Sequence, residues 1–302
     1  MDLDGKRRSD NFEDRGAGKG GVRRSAAGGV APQLLGLVVR RFGIKGLLVV
    51  GLVAGGLYLF APKTVKQSFL GGDVSVQGSG TVCGASADNA DACDFSRAIL
   101  ASTEDVWRAH FRAGNLPDYG NSTNAYRLPT LVVFSGNVTT GGCGSATSAV
   151  GPFYCSADDR LYIDPSFYDT LARQLRAPGD FAQAYVISHE IGHHVQNLIG
   201  SLRLGVRGES KNQSSVRVEL QADCFAGVWG HSAQADLSIS DKDLQDATRA
   251  AHAIGDDALG HRNEAQFTHG SSEQRLRWFK RGFETGDPSQ CDTFAVTNYR
   301  DL

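Results

Sequence analysis

His189-Glu190-Ile191-Gly192-His193 is the segment whose residue types and spacing most directly imply chemistry. In a helix, positions i and i+4 lie one above the other, so His189 and His193 can aim two imidazoles at one ion. Glu190 is turned about 100° around the helix from His189, where its carboxylate can take a proton from water instead of binding the ion. Zinc suits this ligand chemistry. Two histidines leave a catalytic ion one protein ligand short. The best supplier is the helical segment Val216 to Asp223, in which Glu219 and Asp223 stand one turn apart. Glu219 can bind the ion while Asp223 accepts the ring N–H of a ligating histidine and fixes its tautomer. Glu209 competes for the ligand role, but its Arg-Gly-Glu-Ser surroundings read as a mobile loop. His194 falls about 100° around the helix from His193 and reads as a packing or supporting residue. Attack on a carbonyl also needs a donor facing the developing oxyanion. His269 precedes Gly270-Ser271-Ser272-Glu273-Gln274-Arg275, where Ser271 and Gln274 can form a capping box at the start of the last helix. That cap would hold His269 on a fixed corner, with Arg275 as the alternative donor.

The elements that must position these groups follow from periodicity. Helical patterns cover roughly 94–111, 166–177, 180–199, 215–233, 240–256 and 271–284. Short strands are expected at 131–134, 151–155 and 160–164. A small sheet followed by helices predicts an α+β domain. The 160–164 strand could lie open beside the metal and align an extended substrate through its backbone.

Charge and hydropathy are uneven along the 302 residues. Residues 1–45 carry ten Lys or Arg against five acids, and the remainder carries 21 basic and 28 acidic side chains. The break falls at the uncharged run Gly46 to Ala61, about 24 Å long as a helix. Flanked by Lys45 and Lys63, this run predicts one transmembrane helix over 43–62. The positive-inside rule then places residues 1–42 in the cytoplasm as a disordered basic tail, with 63–80 as a linker and 81–302 as an extracytoplasmic domain on the cytoplasmic membrane. A cleaved signal peptide is the rival reading. The long basic flank and the Leu59-Phe60-Ala61-Pro62 exit favour an uncleaved anchor. Nucleic acid is not an expected partner, because acids interrupt the basic residues and Phe12 is the one aromatic in residues 1–33.

All six cysteines lie beyond the apolar run, which fits an oxidising compartment and up to three disulfides. Spacing favours Cys83–Cys93 and Cys143–Cys155, leaving Cys224 with Cys291, although fifteen pairings are formally possible.

Three motifs in order, Ser188 to Gln196, Glu219 to Gly227 and Thr268 to Arg275, together with the basic stretch and apolar run, resemble the putative neutral zinc metallopeptidase family of bacteria. The resemblance covers roughly 70–300, and its motif style is similar to that of the gluzincins. It implies a zincin-like metallopeptidase domain with His189, His193 and Glu219 as ligands of one Zn2+ and Glu190 as general base. The expected activity is hydrolysis of peptide bonds in a peptide or protein substrate, with endopeptidase action favoured. A zinc amidase acting on other substrates, or a non-catalytic zinc-stabilised envelope protein, are the alternatives. The second would need a closed four-ligand shell.

Overall fold

The computed structural model describes residues 1–17, 80–120 and 125–302. Among them the α+β expectation holds. The first strand, β1 (Phe12–Ala17), is followed by a long helix, α1 (Ala87–Ala113). Five strands come next: β2 (Thr130–Ser135), β3 (Asn137–Thr139), β4 (Ser145–Thr147), β5 (Phe153–Cys155) and β6 (Arg160–Ile163). Five helices complete the order: α2 (Ser166–Arg173), α3 (Asp180–Ile199), α4 (Lys211–Ala233), α5 (Asp241–Ala253) and α6 (Ser272–Thr285).

The main sheet runs β1-β2-β6-β5, parallel except for β5, which is antiparallel to β6, while β3 and β4 form a separate hairpin. Strand side chains alternate between faces. Leu131, Val133, Leu161 and Ile163 therefore join the large core around α3, whereas Val132, Phe134 and Tyr162 pack with Val138 and Cys155 on the other face. Because β6 is paired on both sides, the expected open strand at 160–164 is internal. Among the described residues the edge strand on that side is β5, itself half-buried to buried.

Helix α3 occupies the centre, with sixteen of its twenty residues buried. It stops at Gly200, whose positive φ of 85° lets its N–H bond back to Gln196. Its crossing with α4 depends on Gly192, because a Cβ there would meet the carbonyl oxygen of Ala222 at 2.9 Å. Capping boxes start α4 at Ser210 and Gln213, α5 at Ser240 and Asp243, and α6 at Ser271 and Gln274, the last as expected. Disulfides join Cys83 to Cys93, Cys143 to Cys155 and Cys224 to Cys291, the pairing that spacing favoured.

The N-terminal expectation needs correction. Residues 1–17 are not a free tail, because Phe12–Ala17 is the outer strand of the main sheet and the preceding residues pack on α1. The rest of the proposed tail, the 43–62 span and nearly all of the linker lie outside the described residues. Among the described residues, no helix is long and apolar enough to cross a membrane.

Candidate metal centre

Helix α3 presents His189 and His193 one turn apart, and α4 brings Glu219 against them. The Glu219 Oε2 lies 3.2 Å from His189 Nε2, and its Oε1 lies 3.5 Å from His193 Nε2. Ligands about 2.0–2.1 Å from a tetrahedral zinc ion would stand roughly 3.3–3.4 Å apart, so this donor set fits that ion. Both Nδ1 atoms are engaged elsewhere, which leaves the Nε2 atoms facing Glu219. His189 Nδ1 is 2.8 Å from Asp223 Oδ1, and His193 Nδ1 is 2.7 Å from Gln196 Oε1. Each ring can therefore donate an Nδ1 proton to its supporting oxygen and keep an Nε2 lone pair for a metal. Among the described residues, His189, His193 and Glu219 form one group of potential metal donors, and it has three members.

The close approach at Gly192 is what makes these helices meet. Ala222 fits against Gly192, which places Glu219 one turn before that crossing and Asp223 beside it. Asp223 is fully buried and accepts from His189 Nδ1, Tyr185 Oη, Arg275 Nε at 3.0 Å and Arg275 Nη2 at 2.9 Å. Burial alone would raise its pKa. The Arg275 charge and the His189 pair outweigh that and hold the carboxyl below its ordinary range. Arg275, only 2% exposed, thus serves Asp223 and the His189 support network. Arg275 and His269, the two expected oxyanion donors, both line the cleft beside the candidate metal donors.

Burial, the cations and the hydrogen bonds divide the titrations at the site. Burial would raise Glu219, but His193 and His189 outweigh it and keep Glu219 ionised. Burial would lower His189, but Asp223 and then Glu219 raise it to about 10, so metal binding there must displace a proton. Burial lowers His193. Glu190 is raised to about 7, chiefly by burial and further by the Glu219 charge, with His189 and a hydrogen bond from the Tyr154 backbone opposing. A nearby dication would draw it lower and leave it an anion at neutral pH.

These groups line a cleft of about 460 Å³ that also takes in Phe153, Tyr154, Phe167, Val186, Leu259 and His269. The His269 side chain is about half exposed, and its backbone N–H bonds Asp256 Oδ2 at 2.7 Å. Thr268 and Gly270 donate to the same oxygen, which fixes the corner. Asp256 gave no sequence signal, being thirteen residues from His269 in an irregular segment. Gln196 closed the Ser188 to Gln196 motif in the sequence but was not read as the partner of His193. Its amide nitrogen donates to the Val218 carbonyl at 2.7 Å and to Gln221 Oε1 at 3.1 Å, which ties it to α4.

The remaining expected residues fall outside the cluster. Glu209 makes a paired contact with Arg217 and is not among the clustered donors. His194 is buried, with Nδ1 2.9 Å from Tyr154 Oη and Nε2 2.7 Å from the Arg127 carbonyl. It supports the edge strand beside the cleft, in keeping with the packing role expected of it.

A profile for the family described as "Putative neutral zinc metallopeptidase" matches residues 1–294. The chain belongs to this family. It is 44% identical over 306 aligned residues to "Uncharacterized protein YpfJ" of Escherichia coli strain K12, covering 98% of this chain and 99% of that protein. It is also 45% identical over 204 residues to "Uncharacterized protein Rv2575" of Mycobacterium tuberculosis H37Rv, covering 59% of this chain and 69% of that protein. No solved structure matches the chain. Family membership supports the metal chemistry that the donor geometry suggests, while the names of these relatives add no substrate.

Proposed function

We propose that this protein is a zinc-dependent peptidase with a zincin-like catalytic domain, cleaving peptide bonds within an extended substrate. The observation that carries this reading is the convergence of His189, His193 and Glu219 in an accessible cleft with Glu190 beside them. A zinc ion bound there would polarise a carbonyl and make water nucleophilic near neutral pH. Among the described residues three donors gather there, which would leave one position of a tetrahedral shell for that chemistry and favours an enzyme over a protein that uses zinc only for stability.

The chain's own residues supply the remaining steps. Glu190 takes the proton from the attacking water and delivers it to the departing amine nitrogen. Asp223 holds the His189 ring with Nε2 forward, and Gln196 does the same for His193. We assign the oxyanion to His269, whose backbone Asp256 fixes and whose ring lines the cleft while the Arg275 guanidinium is committed to Asp223. The β5 edge, with Phe153 and Tyr154 in the cleft wall, is where a substrate strand would align, although the Tyr154 backbone already bonds Glu190. That role passes to β5 from the 160–164 strand favoured by sequence, because β6 has no free edge. An amidase acting on other substrates would not need such a strand template.

The three disulfides support an extracytoplasmic, oxidising compartment for the domain. The uncharged run 46–61 supports attachment to the cytoplasmic membrane. The test of function is zinc-dependent cleavage of a broad peptide library by the purified full chain. Loss on chelation and recovery with zinc is the expected result, and activity indifferent to chelation would reject the proposal.

A further inference from the structure

The first seventeen residues are built into the cysteine-bonded domain at every level of its structure. Strand β1 pairs in parallel with β2 through Phe12 and Leu131, Glu13 and Val132, and Asp14 and Val133. Just before it, Ser9 is fully buried. Glu104 of α1 is 1% exposed, and among the described residues its hydrogen-bond donors are Arg7, Ser9 and Asn11. A carboxyl group buried in this way requires hydrogen-bond partners, so the segment and the domain are chemically complementary.

The point of departure matters more. Asp14 accepts from the backbone N–H groups of Val82 and Cys83, each at 2.9 Å. A Cβ on Gly16 would stand 3.1 Å from the carbonyl oxygen of Gly80. Residues 14–16 and 80–83 therefore lie side by side, although 18–79 separate them in sequence. A single crossing of a bilayer separates the two flanks by a hydrocarbon layer of about 30 Å, which cannot be reconciled with contacts of about 3 Å.

We propose that residues 1–17 and 80–302 lie on the same, oxidising side of the membrane, and that the apolar run 46–61 engages the lipid without carrying the chain across once. This replaces the orientation read from the positive-inside rule, which placed the N-terminus and the domain on opposite sides. The basic flank of residues 1–45 owes part of its charge to this packing. Arg7 meets Glu104 and Asp105, Arg8 meets Asp94, and Arg15 meets Glu13. These cations are partnered within the fold and are less available as a topogenic signal. The inference does not depend on catalytic activity.

Compartment labelling of the full chain tests it. All six native cysteines are paired, so Asp10→Cys and Asp169→Cys each add a single free thiol, at side chains that are 102% and 70% exposed. A membrane-impermeant maleimide applied with the inner membrane intact should label both variants to the same extent as after lysis. Labelling of Asp169→Cys before lysis but of Asp10→Cys only after it would overturn the shared side. Labelling of both only after lysis would overturn the oxidising compartment. As a second measurement, trypsin should leave the bonds after Arg7, Arg8 and Arg15 intact in the detergent-solubilised wild-type chain. Immediate loss of the first seventeen residues would show that they are not docked.

Discussion

Asp223→Ala is expected to destabilise the domain and weaken its metal site together, and the two effects can be separated. The wild-type carboxylate neutralises Arg275 in an interior where both side chains are at most 2% exposed. Removing one partner of a buried pair leaves an uncompensated charge and costs about 3–5 kcal/mol. The same change takes away the acceptor that orients His189, a loss of about 10–100-fold in metal affinity. Urea unfolding followed by tryptophan fluorescence, in chelator and in excess zinc, measures the first effect, and zinc titration measures the second. The double variant Asp223→Leu with Arg275→Met removes both charges, so most of the lost stability should return while zinc affinity stays low. A single-variant loss below about 1 kcal/mol would refute the buried-charge argument. Restored zinc affinity in the double variant would refute the orienting role of Asp223.

Three further outcomes follow from the geometry. Replacing Cys224 and Cys291 with serine opens a loop spanning 67 residues and should cost about 4 kcal/mol by the chain-entropy relation, read from the urea midpoint; an unchanged midpoint would contradict it. Gly192→Val should drive α3 and α4 apart at Ala222, giving a protein with weakened zinc binding as well as reduced stability, and full zinc occupancy would show that the crossing tolerates the side chain. Asp256→Asn should lower turnover more than zinc content, because the His269 corner loses its anionic acceptor. Burial would raise Asp256, yet the backbone N–H groups of His269 and Thr268 hold it below its ordinary value. Its contribution to stability is therefore present above about pH 4 and lost as pH falls through the depressed value, so acid unfolding of the variant should lose that component. Identical acid profiles would reject it.

The candidate metal donors were legible because their geometry is local. The i, i+4 spacing fixes His189 against His193 whatever the tertiary structure, and the same spacing links Glu219 with Asp223. Their convergence required a crossing of α3 with α4, and Gly192 inside the motif was its visible trace. Asp256 acts across an irregular segment where no period marks it, whereas Gln196 stands three residues after His193 on the same helix, a spacing that the reading of the motif did not use. Strand β1 was missed because Phe-Glu-Asp-Arg-Gly-Ala lacks the alternation that a half-buried strand displays. Its partners are supplied by α1, β2 and residues 80–83. The open strand was misplaced because β5 returns antiparallel to cover β6, and three-residue strands carry too little pattern to reveal their order in a sheet.

The central claim is that Glu190 acts on the reaction while Glu219 holds the ion. One experiment compares zinc content and peptide-library turnover in wild type, Glu190→Gln and Glu219→Ala. Glu190→Gln should retain zinc and lose about 10²-fold or more in turnover, and Glu219→Ala should lose both zinc and turnover. Full zinc occupancy in Glu219→Ala, or unchanged turnover in Glu190→Gln, would contradict the account.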